Sequence, residues 1–114
     1  MRRVVITGLG ALTPIGETVD SYWDGLRTGK SGAAPITKFD TYKFKAKFAC
    51  ELKEYKATDH FNSKEVRKYD PFSQYALVAT DEAVKDAEID FDTLDKTRAG
   101  VIWGSGNGGI QTFQ

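Results

Sequence analysis

The sequence predicts an α/β protein, on three observations. Val4-Val5-Ile6 is an unbroken apolar run, the pattern of a strand covered on both faces in a parallel sheet. Asp70-Pro71 opens a stretch in which Phe72, Tyr75, Ala76, Ala79, Ala83 and Ala87 recur at helical spacing. Gly100 to Trp103 is a second apolar run that enters Gly104-Ser105-Gly106-Asn107-Gly108-Gly109, with four glycines in six residues. Such density predicts positive φ angles or a close backbone approach. The carboxyl end of a strand in an open α/β sheet is also where ligands usually bind.

In chain order, Arg3 to Ile6 reads as the first strand, ending at Thr7-Gly8-Leu9-Gly10. Thr13-Pro14-Ile15-Gly16 is a turn. Thr18 is an N-cap for a helix from Val19 to about Arg27, with Val19, Tyr22, Trp23 and Leu26 at helical spacing. Gly29 terminates it. Ser31-Gly32-Ala33-Ala34-Pro35 reads as loop. Between residues 30 and 62, Phe39, Phe44, Phe48, Tyr55 and Phe61 are interleaved with lysines. The alternation from Phe44 to Cys50 fits an edge strand or an extended excursion. Ser63 to Lys68 fits a short helical turn. Asp70 caps the next helix, with Pro71 at its first position, and the pattern runs to about Ala87. Small alanines on that face permit close packing. Thr93 to Lys96 connects to the second strand, Arg98 to Trp103.

Strand, helices, strand is a parallel crossover unit, expected to be right-handed. Two strands do not make a stable sheet, and both runs have the pattern of doubly covered strands. These features predict the N-terminal piece of a larger α/β protein; the competing reading is a small domain completed by dimerisation. At 114 residues the chain is at most one domain. Its 16 basic and 16 acidic side chains cancel, which argues against broad nucleic-acid binding. No segment has the length of a membrane span, and the N-terminal apolar run is too short for a signal peptide. One cysteine is compatible with a reducing compartment, so a cytoplasmic protein is expected.

Several motifs fall short. Gly8-Leu9-Gly10 begins a dinucleotide fingerprint, but Thr13 stands where its third glycine belongs. Gly25 to Ser31 has three residues between its glycines where a phosphate loop needs four, and it follows a helix. Cys50 lies beside Glu51, an unfavourable setting for a nucleophilic thiolate, and one cysteine with His60 supplies no metal site without carboxylate help, so a structural role is the simpler reading of each and a catalytic one the alternative. Lys64, Arg67 and Lys68 stand at i, i+3 and i+4, so one face of a helical turn presents three cations. On spacing alone, a solvated surface is the simpler reading of that face, and an acidic partner is the alternative.

Taken together, five stretches resemble one family. They are Arg2 to Gly10, Thr13-Pro14-Ile15-Gly16, Phe39-Asp40, Arg67-Lys68-Tyr69-Asp70-Pro71-Phe72-Ser73-Gln74-Tyr75-Ala76, and Gly104 to Gly109. In this order they are similar to the N-terminal portion of the beta-ketoacyl synthases of the bacterial 3-oxoacyl-(acyl carrier protein) synthase II branch. These condensing enzymes of fatty acid synthesis have the thiolase-like fold, and polyketide ketosynthases share much of the pattern. The resemblance implies that residues 1–114 are an incomplete N-terminal domain. It implies a decarboxylating condensation in which an acyl chain held on a cysteine meets malonyl-acyl carrier protein, giving a 3-oxoacyl chain two carbons longer. Activated thiolate, two histidines and an oxyanion hole carry that chemistry, with no metal or organic cofactor. The partners implied are acyl carrier protein, acyl and malonyl thioesters, and a second copy of the full-length protein; no nucleic acid or membrane is implied.

The family's nucleophile and histidines belong to motifs absent from this stretch, so no catalytic residue carries over, and the 114 residues alone are expected to be inactive. Lys64, Arg67 and Lys68 match the family's basic carrier-protein docking cluster, which turns the reading of that face toward function. Gly106, Asn107 and Gly108 match a wall of the acyl pocket, where the family often has an apolar residue at position 107. A polar amide facing a fatty chain is costly without a hydrogen bond, so either Asn107 turns away or the chain-length preference differs. Two alternatives stand beside the enzyme reading: a non-catalytic chain-length-factor-like subunit, and a stand-alone small-ligand-binding α/β domain.

Overall fold

The computed structural model describes residues 2–109. The chain divides into two compact units, Ala11–Tyr55 and Met1–Gly10 with Lys56–Gln114.

In the first unit, Thr13 and Gly16 exchange backbone hydrogen bonds of 2.8 and 3.2 Å, closing the predicted turn. Helix α1 spans Val19–Arg27. Thr18 caps it in a reciprocal box: the Ser21 N–H donates to Thr18 Oγ1, and the Thr18 N–H donates to Ser21 Oγ. At the other end the Lys30 N–H donates to Gly25 O at 2.9 Å, which requires the left-handed turn that Gly29 makes at φ +66°. The Gly25 to Ser31 stretch is therefore a helix terminus, as its spacing indicated.

Beyond α1 the structure departs from the expectation. Ala33–Pro35, read above as loop, is strand β1, paired antiparallel with β2, Phe48–Cys50. Pro35 lies opposite Phe48 and cannot donate to the ladder, but a two-stranded ribbon has free edges where proline is tolerated. The ribbon continues through the Ile36 N–H, which donates to Lys47 O at 3.1 Å.

The second unit holds a 3₁₀ turn at Ala57–Asp59, helix α2 at Ser63–Lys68, helix α3 at Pro71–Asp86 and a 3₁₀ turn at Lys96–Arg98. Asp70 caps α3 through the Phe72 N–H, with Pro71 at the first helical position. The alanine face of α3 meets the N-terminal segment. A Cβ at Gly8 would lie 2.7 Å from Ala87 Cβ, and one at Gly10 would lie 2.9 Å from the Ala79 carbonyl carbon. Those glycines serve close packing, not a phosphate.

The two apolar runs are the main correction. Neither Arg3–Ile6 nor Arg98–Trp103 is a strand, and no parallel ladder joins them among the described residues. Val4 is 90% exposed and Ile102 fully so. Strands of this composition need cover on both faces and further strands beside them, and the described residues supply neither. Ala79 and Gln74 are the buried side chains of this unit among those described.

Candidate functional site

The candidate site begins with α2. Asn62 Oδ1 accepts from the N–H groups of Lys64 and Glu65 at 3.0 and 3.1 Å, and Glu65 Oε2 accepts from the Asn62 N–H at 3.1 Å. This box fixes the helix start and turns the one acidic side chain of α2 toward the helix terminus. Lys64, Arg67 and Lys68 are all exposed, and none has an acidic partner within 4 Å among the described residues. The Lys68 ammonium lies 5.5 Å from the centre of the Tyr69 ring. Arg67 and Lys68 occupy the last turn, where cations complement the helix dipole. The structure thus brings the three predicted cations onto one short helix and leaves their charge available.

The glycine turn is more open than its sequence suggests. Of its glycines, only Gly109 has a positive φ, +77°, and only Gly108 has a close neighbour, the Phe72 ring of α3, within 3.1 Å of where a Cβ would stand. Gly104 and Gly106 face open space, and Asn107 is exposed, so its amide bears no desolvation cost here. Near this turn a groove of about 400 Å³ runs along α3, lined by Gly8, Gly10, Ala79, Ala83, Ala87 and the segment from Gly100 to Trp103. Gly106, Asn107 and Gly108 do not line it, and neither does the basic trio.

Cys50 is exposed on β2, and the His60 ring lies 6.3 Å from that of Phe61 beside a 3₁₀ turn. No group of three potential metal ligands occurs among the described residues. Within Ala11–Tyr55 a cavity of about 690 Å³ collects Glu17, Asp24, Lys30, Lys53 and Glu54, charges of both signs.

One residue escaped the sequence reading. Gln74 is 5% exposed, and its Nε2 donates to Val66 O at 3.2 Å and to Tyr69 O at 2.8 Å. A glutamine within a helix ordinarily signals a solvent face; its sole clue is a position beside Tyr75 on the flank of the apolar stripe.

Comparison with known proteins gives this chain a family. The model of the beta-ketoacyl synthase N-terminal domain matches residues 1–114, and the chain belongs to that family. It is 47% identical over 113 residues to 3-oxoacyl-[acyl-carrier-protein] synthase 2 of Staphylococcus aureus (strain COL), covering 99% of this chain. The Synechocystis relative of the same name is 40% identical over 113 residues. The chain spans 27% of the length of each of these relatives. Among solved structures it resembles the ishigamide ketosynthase/chain length factor, with a TM-score of 0.72 and 41% identity over 82% of this chain and 23% of the other. It also resembles one chain of a solved complex of a type II PKS acyl-carrier protein with its ketosynthase bound to the hexaketide, at a TM-score of 0.60 and 26% identity, covering 80% of this chain and 23% of the other. The fold is accordingly the α/β, thiolase-like fold of the ketosynthases. No helix among the described residues is long and apolar enough to cross a membrane.

Proposed function

We propose that this chain is the N-terminal part of a homodimeric, cytoplasmic condensing enzyme of fatty acid synthesis, and that α2 docks its acyl carrier protein. The enzyme would join an acyl group held on cysteine to malonyl-acyl carrier protein, releasing carbon dioxide and leaving a 3-oxoacyl chain on the carrier. The observation that carries the docking role is the exposed trio Lys64, Arg67 and Lys68, on a capped helix and without an acidic partner among the described residues. An acidic partner meeting such a face gains association rate and orientation from it. Gly106, Asn107 and Gly108 would form a wall of the acyl pocket. Cys50 and His60 are not proposed as catalytic, so the 114 residues alone should not decarboxylate malonyl-acyl carrier protein; turnover by the isolated segment would contradict this.

The test of docking is charge reversal in the full-length protein. Lys64→Glu with Arg67→Glu should weaken carrier-protein affinity by at least about tenfold at low salt, with the difference shrinking as salt screens the pair. An unchanged affinity would overturn the docking role.

A second reading is favoured by the likeness to the ishigamide ketosynthase/chain length factor. On it, the full-length protein is a non-catalytic partner subunit. Labelling with an acyl-thioester analogue separates the two, because only the enzyme presents an activated thiolate.

A further inference from the structure

We infer that Gln74 is a positioning residue for docking, acting on the partner through α2; the inference rests on the docking role proposed above. Helix α2 has six residues, fewer than a helix needs to hold itself in water. Its direction must come from ties to its surroundings. The Asn62–Glu65 box closes the start, and the flanking rings of Phe61 and Tyr69 meet edge to face at 5.9 Å.

The tie at the far end comes from α3. The last carbonyls of a helix lack intrahelical donors, and Gln74 supplies Val66 O and Tyr69 O from one nitrogen. Both neighbours are acceptors, so the amide must present its NH₂ to them. The two N–H bonds form a fork between α3 and the end of α2, closed off from water by the burial of Gln74. Only Tyr69 and Asp70 join the helices, and Tyr69 is extended at ψ 124°. That short link leaves an angle to be set, and the fork sets it. Complementarity between charged surfaces depends on where the charges point, so Gln74 controls how Lys64, Arg67 and Lys68 meet an acidic partner.

The test compares two substrates of the full-length enzyme carrying Gln74→Met or Gln74→Glu. Methionine fills similar space without donating, and glutamate keeps the shape while opposing two carbonyl oxygens. The KM for a carrier-protein-borne acyl group should rise about tenfold, because a loosened α2 must be ordered on binding. The KM and kcat for the same acyl group on coenzyme A should not change. Equal impairment with both substrates would show a merely structural role, and no change with either would show no role; each overturns the inference. If those variants do not fold, Gln74→Asn carries the same comparison, since it keeps the amide but is one methylene too short to reach both carbonyls. Lys64→Glu with Arg67→Glu run alongside separates the two claims. If it raises the carrier-borne KM and the Gln74 variants do not, positioning fails alone; if it does not, the docking role fails and the inference with it.

Discussion

Two stretches of this chain share one pattern, an apolar run followed by glycines at alternate positions. In Val4-Val5-Ile6-Thr7-Gly8-Leu9-Gly10 the glycines lie against α3, where a Cβ at Gly8 would stand 2.6 Å from the Ala87 nitrogen and one at Gly10 would stand 2.9 Å from that of Ala83. In Val101-Ile102-Trp103-Gly104-Ser105-Gly106 the glycines meet nothing within 4 Å. The first pair lacks side chains because a helix occupies the space. The second pair leaves space that no described residue fills, which is what a wall awaiting a ligand or further packing requires. A glycine pattern therefore has no single meaning; the neighbour decides it.

The sharpest way to break this contrast is to add side chains to both pairs in the full-length protein. Gly10→Val should cost about 3 kcal/mol or more, because the atoms in its way are helix backbone and cannot rotate aside. Gly106→Ala should move the unfolding midpoint by no more than about 0.5 kcal/mol. On the proposed pocket-wall role, it should also shift the acyl chain-length profile toward shorter chains. Denaturant unfolding and product analysis read both. Equal destabilisation at the two sites would erase the distinction.

The same contrast explains what the sequence could disclose. Helices α1 and α3 were legible because their signals are local: Thr18 before Val19, Gly29 after Arg27, and Asp70 before Pro71. The basic face of α2 was legible for the same reason, since i, i+3 and i+4 fix it without knowledge of anything else. Strand β1 was not, because Ala33–Pro35 becomes a strand only through Phe48–Cys50, and its proline argued against it. The apolar runs misled in the opposite direction: their composition specifies strands, but a ladder needs partners that the described residues do not contain. Gln74 was hidden because its partners are backbone carbonyls, one on α2 and one in the link after it, which no side-chain pattern records.

A smaller effect tests how the first glycine pair is held. The Leu9 N–H, between Gly8 and Gly10, donates to Asp86 Oδ2 at 2.8 Å. Asp86→Ala should lose about 1 kcal/mol, the net value of one such bond. Amide exchange at Leu9 should accelerate while that of residues 104–106 stays the same. Next to it, Glu88 follows the α3 C-cap at φ +51°, where a side chain is strained. Glu88→Gly should stabilise the protein by about 0.5 kcal/mol. A loss instead would mean that Glu88 has a partner outside the described residues.

The smallest effect lies in the other unit, where a hydrogen bond shifts a titration without requiring a packed core. Thr37 Oγ1 donates to Glu51 Oε2 at 2.7 Å, and the Thr37 N–H reaches the same carboxylate at 3.3 Å. The hydroxyl chiefly, then the backbone N–H groups of Thr37 and Lys38, hold Glu51 below its ordinary value of 4.5. A carboxylate with a lowered folded-state pKa contributes stability above its unfolded pKa and loses it as pH falls through the folded one. Thr37→Val removes the hydroxyl and keeps the backbone donors, so the Glu51 pKa should rise part of the way toward 4.5 and no further. Carboxyl carbon shifts of labelled glutamate, followed through acid pH, measure this. If the titration did not move, the bond between the segments that follow β1 and β2 would not persist in solution. The ribbon would then rest on its three-residue ladder and the Ile36 bond to Lys47 O.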